Sequence, residues 1–372
     1  MTAHAREKLE SVTIRGYKSI SGLEEFPLRD LNVIVGANGA GKSNLLSFFR
    51  LLRSFMGGGL NGFVSDQGGA DSLLFNGVKH TPAMSFGVMF GSRGYRFSLR
   101  PNLKDLLVVV EESRYYRPAA HQWWSLGGSM TDDSRLAAEA KGDTPDAEYS
   151  LPVYGTIMSW QDYHFHDTGH TAGMRRFAPV EDNARLRHDA SNIAPYLLKL
   201  RREQPLAYRQ LVDAVKFVLP AFDDFLLAVE SFGARSMVSL SWRQKGSDYP
   251  MQPYHLSDGS IRFICLAAAL LQPEPPALII LDEPELGLHP AAIAILAELI
   301  TAASKRSQLI VATQSPLLLD AFSPQDIIVA TQRGGESIFS RLDAESLGSW
   351  LEEYSLGELW VKNVIAGGAE YV

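Results

Sequence analysis

Cysteine is nearly absent from this 372-residue chain: Cys265 is the only one, set among Ile264, Leu266 and Ala267. One thiol excludes a disulfide framework within the chain, and a redox or metal role would need partners the sequence lacks. A buried, inert thiol is the expectation. Long apolar runs are missing too. The longest, residues 263–271, has nine residues, against roughly 18 for a membrane span. The opening residues, MTAHAREKLE, hold no apolar stretch of the kind a secretory signal carries. No internal repeat and no sustained heptad appears. There is no excess of positive charge either: 35 Lys and Arg face 42 Asp and Glu, a net charge of −7. That argues against a surface coated in basic groups for indiscriminate nucleic-acid binding. These absences lead to the expectation of a cytoplasmic protein with no membrane contact.

What is present is an ordinary globular composition, 46% apolar and 21% charged. One segment departs from the overall charge. Residues 175–202 hold seven Arg or Lys against three Asp or Glu, which fits either a solvated helical surface or a face for phosphate backbones. The opening third alternates as strands do, at Val12 and Ile14, 31–35, Phe86 to Phe90 by twos, Tyr95 to Leu99 by twos, and 106–110. One helix, over 41–55, interrupts it. Residues 129–150 are small and polar without a clear period and read as a surface excursion. Over 190–235 the pattern becomes helical. Ser191 or Asn192 can cap a first helix bearing Ile193, Leu197 and Leu200, and a second follows Pro205 until Pro220. A strand carrying Val238, Leu240 and Trp242 comes next. Beyond it helix 257–271, strand 278–282, helix 290–303 and strand 308–313 alternate as in a parallel α/β sheet.

Three motifs carry chemistry. GANGAGKS, residues 36–43, directly follows the apolar strand LNVIV and opens a helix, which is the context a phosphate-binding loop requires. Its glycines Gly36, Gly39 and Gly41 let backbone N–H groups converge on phosphate oxygens. Lys42 can reach the β- and γ-phosphates, Ser43 can ligate Mg²⁺, and the helix start adds its positive dipole end. In ALIILDEPELGLHP, five apolar residues end in Asp282 and Glu283. Acids at the C-terminal edge of a parallel sheet lie where ligands bind in open α/β folds. Asp282 is placed to hold Mg²⁺ through water, and Glu283 to deprotonate the attacking water. LSDGS, residues 256–260, opens an apolar helix about twenty residues earlier. Ser257, Gly259 and the free N–H groups there form an anion site. In the expected fold that site cannot reach its own loop's γ-phosphate and serves a second copy's ATP.

In that order GANGAGKSN, LSDGS, LIILDEPELGLHP and VATQSP resemble the RecF/SMC-type branch of ABC ATPases, as does the opening TIRGYKSISG. The resemblance covers nearly the whole chain. It implies a single α/β head, residues 1–372, of the ABC-type P-loop NTPase class, with a mixed sheet core, an antiparallel β subdomain and an inserted helical lobe. The parts expected are an N-terminal lobe, 1–170, a helical lobe, 171–235, and a C-terminal lobe, 236–372. ATP and Mg²⁺ are the cofactors implied. Asn38 and Asn44 join Gly36, Gly39, Gly41, Lys42 and Ser43 in the nucleotide site, and the metal set is Ser43, Asp282 and Gln161. Glu283 and Gln314 are the catalytic pair.

The partners implied are a second copy, head to tail around ATP, an effector encoded nearby such as a Toprim-type nuclease, and DNA. With 56 residues after Pro316, a nuclease is expected on another chain, since a compact domain takes roughly 100. The function implied is a nucleotide-gated ATPase switch in DNA repair or anti-phage defence. The alternatives are a transporter's nucleotide-binding subunit and a nucleotide-binding scaffold with negligible hydrolysis. LSDGS, TIRGYKSI and ELGLHP favour the RecF-like head over the transporter.

Two departures from the best-known members stand out. The insertion is a short helical lobe rather than long coiled-coil arms, and Gln314 occupies the switch position where many ABC proteins carry histidine. Glutamine binds a γ-phosphate oxygen but carries no proton, so slow turnover is expected. The segment WQDYHFHDTGH, 160–170, fits a Q-loop with Gln161 as sensor, polar packing, or an independent metal site. Tyr17 and Lys18 are placed near the adenine by position alone.

Overall fold

The computed structural model describes residues 7–117, 122–127, 130–348 and 350–365. The chain divides into two compact units. The first takes the described residues of Met1–Trp160, Pro324–Trp350 and Leu359–Val372, and the second takes Gln161–Ser323 and Leu351–Glu358.

The first unit is built on a six-stranded antiparallel sheet with strands in the order Ile20–Pro27, Ser11–Tyr17, Met84–Phe90, Arg93–Pro101, Leu107–Tyr116, Trp123–Gly127. Period-two alternation creates its core face: Met84, Phe86, Val88 and Phe90 are buried while the residues between them are half-exposed. That face receives the helix Lys42–Met56, whose Phe48 stacks on Phe86 at 5.4 Å and whose Phe55 meets Phe97 at 5.0 Å. A second ladder pairs Leu31–Val35 in parallel with Ile327–Arg333, which forms a hairpin with Glu336–Arg341. All five residues of Leu31–Val35 are buried, as a strand covered on both faces requires.

Residues 130–150, read from sequence as a surface excursion without a period, carry regular structure (129 lies outside the described residues). Helices Arg135–Lys141 and Ala147–Ser159 occupy the segment. The first buries only Leu136, Ala137 and Ala140, too short a stripe to show a period. Its start is fixed from outside: the fully buried Glu112 accepts hydrogen bonds from the Tyr95 hydroxyl at 2.5 Å, the Ser134 hydroxyl at 2.8 Å and the Arg135 N–H at 2.7 Å. Ser134 in turn caps the helix by accepting from the Ala137 N–H.

In the second unit a parallel ladder runs Gln161–Tyr163, Leu278–Asp282, Gln308–Thr313. Helices Ile193–Glu203, Pro205–Val218, Asp258–Leu270 and Pro290–Ser304 accompany it. The helical stretch is shorter than its sequence pattern suggested. It ends at Val218, and Phe222–Leu226 and Val229–Phe232 are strands. Asn192 stands at the first helix's cap position without capping it. Its side chain instead accepts from the Arg187 N–H and donates to the Asp182 and Arg185 carbonyls. Val238, Leu240 and Trp242 are buried in alternation, yet they do not share a strand. Arg235–Val238 pairs with Val229–Phe232, whereas Ser241–Gln244 pairs with Phe222–Leu226 in a different sheet. Cys265 is buried and free, its thiol pushed up in pKa by burial. No helix among the described residues is long and apolar enough to cross a membrane.

Candidate nucleotide site

In the first unit the strand Leu31–Val35 delivers the chain into residues 36–41 and then the helix from Lys42. Gly41 sits at the helix start with φ of 97°, and a Cβ there would lie 2.0 Å from the Ser337 hydroxyl oxygen. Only glycine satisfies both conditions. The buried Lys42 ammonium lies across the loop, donating to the Gly36 carbonyl at 2.7 Å and the Ala37 carbonyl at 3.2 Å. Gly36 is buried, while Asn38, Gly39 and Ser43 are exposed. Asn44 is half-buried and donates to the Ser19 hydroxyl at 2.6 Å, which contacts Ser337 at 2.7 Å. The opening turn GYKSIS thus braces the loop's helix. A buried ammonium beside a helix start that lacks a side-chain cap suits a polyphosphate, and the exposed Ser43 hydroxyl is a hard oxygen donor of the type Mg²⁺ takes. Lys18 stands at the same turn. Its ammonium donates to Gln67 at 2.7 Å, and burial, with Arg50 adding repulsion, lowers its pKa to about 8.

In the second unit Asp282 closes the central strand of the parallel ladder, level with Ala312 of its neighbour. Glu283 follows with φ of 45°, a region that costs a non-glycine residue of order 1–3 kcal/mol and that clusters at functional sites. This geometry turns the chain out of the sheet while the Glu283 N–H still donates to the Ala312 carbonyl at 2.8 Å. The Glu283 carboxylate accepts from the Gln314 side-chain amide at 2.5 Å, so the two residues singled out for catalysis are in contact.

Gln161 is placed differently from its expected role. The register sets Gln161 opposite Ile279 and Tyr163 opposite Leu281. Gln161 therefore begins its strand three residues before the level of Asp282, about 10 Å along the ladder, and is not brought to it. Tyr163, Phe165 and His166 are the residues from this segment that line a small cavity with Asp282 and Glu283. His164 pairs with Asp162 at 2.9 Å. No group of three or more metal-ligating side chains forms among the described residues, so the histidines of this segment build no separate metal site there.

Ser257 caps the helix Asp258–Leu270. Its hydroxyl accepts from the Ser260 N–H at 3.1 Å and lies 2.8 Å from the Ser260 hydroxyl. Ser257 and Asp258 are exposed, whereas Gly259 is pressed against backbone: a Cβ on it would lie 2.4 Å from the Gly287 carbonyl oxygen.

Sequence reasoning missed two arginines and an acid that hold these parts. Arg175 donates to the Leu256 and Thr168 carbonyls and to the Asp258 carboxylate. Buried Arg262 donates to the carbonyls of Phe165 at 2.9 Å, His166 at 3.2 Å and Leu286. Glu285 accepts from the Thr313 hydroxyl at 2.5 Å and the Gln314 N–H at 3.3 Å. Burial raises its pKa, more than its hydrogen bonds lower it. Glu285 lies inside the quoted ALIILDEPELGLHP, but nothing in that stretch marks its partners, and the two arginines lie outside the motifs with only adjacency as a signal.

Residues 31–320 match a family model described as an AAA domain, putative AbiEii toxin, Type IV TA system. Among solved structures, the chain resembles an Smc head bound to the C-winged helix domain of ScpA, with TM-score 0.55 and 19% identity over 92% of this chain and 99% of that one. It also resembles the Smc head domain with an extended coiled coil bound to the C-terminal domain of ScpA from Pyrococcus furiosus, with TM-score 0.53 and 18% identity over 93% and 99%. At such identities the likeness is one of fold. No curated protein matches the chain at a significant level. Loop, acids, capped helix and switch therefore stand in a chain that belongs to this AAA-domain family and has the fold of an SMC/RecF-like ABC-type ATPase head.

Proposed function

We propose that this protein binds and hydrolyses ATP as a dimer joined head to tail around the nucleotide. Lys42 and the N–H groups of residues 36–43 hold the β- and γ-phosphates, flanked by Asn38 and Asn44, with Ser43 and Asp282 on Mg²⁺. Glu283 takes the proton of the attacking water, and Gln314 orients Glu283 and the γ-phosphate. Ser257 and the N–H groups from Gly259 onward address the second copy's ATP.

The observation that carries the reading is the Gln314–Glu283 hydrogen bond of 2.5 Å at a residue with φ of 45°. A strained acid held by an amide at the edge of a parallel ladder has the hallmarks of a prepared base. The head-to-tail arrangement is supported by the exposure of Ser257 at the start of a 13-residue helix whose contacts to its own chain's loop are made by Gly259 instead.

The dimer acts in the cytoplasm as a nucleotide-gated switch in DNA repair or anti-phage defence, controlling an effector such as a Toprim-type nuclease carried on another chain. The toxin–antitoxin description of the family and the ScpA-bound state of the two Smc heads support a protein partner. Particle mass tests the switch. Glu283→Gln is expected to double in mass with ATP and stay monomeric without it, while the wild type turns over below about 10 s⁻¹. A Glu283→Gln variant that hydrolyses ATP at the wild-type rate rejects the assigned base.

A further inference from the structure

We propose that Glu285 is a positioning residue for hydrolysis, holding Gln314 so that its amide meets Glu283; the inference rests on the ATPase reading above. Gln314 is gripped at two points. Its side chain donates to Glu283 at 2.5 Å, and its backbone N–H donates to Glu285 at 3.3 Å. The same Glu285 oxygen accepts from the hydroxyl of fully buried Thr313 at 2.5 Å, and that hydroxyl accepts the Ser315 N–H at 3.0 Å. One carboxylate oxygen therefore organises three consecutive residues of the switch.

The other oxygen, Oε2, is buried and accepts no hydrogen bond, and Glu285 forms no ion pair among the described residues. Placing an acid there costs desolvation that a neutral acceptor of similar shape would avoid. A short contact to a hydroxyl is stronger when the acceptor is a carboxylate, so the acid adds rigidity where Gln314 must not wander.

The loop bearing Glu285 is itself fixed. The Leu288 N–H donates to the Glu285 carbonyl at 3.0 Å, Arg262 grips the Leu286 carbonyl, and the Gly287 carbonyl abuts Gly259. Glu285 thus stands on a braced segment and reaches the switch from it. Removing its side chain leaves Thr313 and the Gln314 N–H without an acceptor. The Gln314 amide then loses its fixed distance to Glu283, whereas residues 36–44, which the proposal gives most of the nucleotide contacts, keep their place.

The test uses the full-length protein, with steady-state ATP turnover, calorimetric ATP binding and urea unfolding measured on each variant. Glu285→Ala is expected to lower kcat about a hundredfold with ATP affinity within about twofold of wild type. Glu285→Gln, which keeps an acceptor oxygen, should recover most of that loss. Glu285→Leu preserves volume and gives the same comparison should the alanine variant not fold. The double variant Glu285→Ala/Gln314→Ala should be no slower than Gln314→Ala alone, because both changes remove one device. Losses that multiply in the double variant, or a fall in ATP binding equal to the fall in kcat, overturn the proposal. Glu283→Gln separates the two readings. If Glu283→Gln is dead and Glu285→Ala turns over normally, the ATPase reading stands and this one fails. If the wild type does not hydrolyse ATP at all, both fail.

Discussion

Lys18 occupies the turn between two strands with φ of 50°, and its pKa is lowered from 10.5 to about 8 by burial and then by Arg50. The sign of the consequence is fixed. Between pH 8 and 10 the unfolded lysine still holds its proton while the folded one releases it, so raising the pH relieves a penalty on the folded state. Burial also raises the pKa of the Tyr95 hydroxyl well above its usual range, which adds a pH dependence of its own, so the informative quantity is a difference. The stability gap between Lys18→Met and wild type, from urea unfolding, should narrow as pH rises from about 8 to about 10. A constant gap would remove Lys18 as its source. At this scale much of the candidate site was legible, because Lys42, Ser43, Asp282, Glu283 and Ser257 each lie inside a short motif whose neighbours dictate the local backbone. Glu285 and Arg262 were not. Their partners stand 28 residues away at Thr313 and 97 away at Phe165, and nothing local marks such a distance. Gln161 misled for the opposite reason: its type suited the role, but the register decides which residue of a parallel strand reaches the carboxylate edge.

Helices and strands were readable where one period ran long enough. Ile193–Glu203 and Pro205–Val218 announced themselves through apolar spacing and a proline at the second helix's first position. Arg135–Lys141 did not, because a seven-residue helix offers about two turns and its nucleus is too costly to form unaided. Its start depends on Glu112, a residue of a neighbouring strand. Glu112→Ala should therefore lower the free energy of unfolding by about 3 kcal/mol, since it strips charge-assisted bonds from Tyr95, Ser134 and Arg135 together. Urea titration measures it, and a loss under about 0.5 kcal/mol, typical of an unremarkable surface change, would contradict this account. The break between Val238 and Trp242 was hidden because burial continued in alternation across it. Side-chain pattern reports which face is covered, not which strand is hydrogen-bonded alongside.

For the molecule as a whole, periodicity could not reveal that Ile327–Arg333 pairs with Leu31–Val35, nearly the full chain away, or that Leu351–Glu358 belongs with the second unit. The proposed dimer yields a test of its own. Lys42→Ala and Ser257→Arg should each abolish turnover, and an equal mixture should regain about a quarter of wild-type activity, because half the dimers are mixed and each of those carries one intact site. A mixture that stays inactive argues against head-to-tail sharing. Arg262 adds a constraint on how such a switch can be thrown. A guanidinium keeps its charge at every pH a cell meets, and carbonyl acceptors cannot be protonated away from it. The rivet it drives through the segments bearing Phe165, His166 and Leu286 is thus deaf to acidification and to the loss of any acidic neighbour. Any signal that loosens this region has to pull against it mechanically.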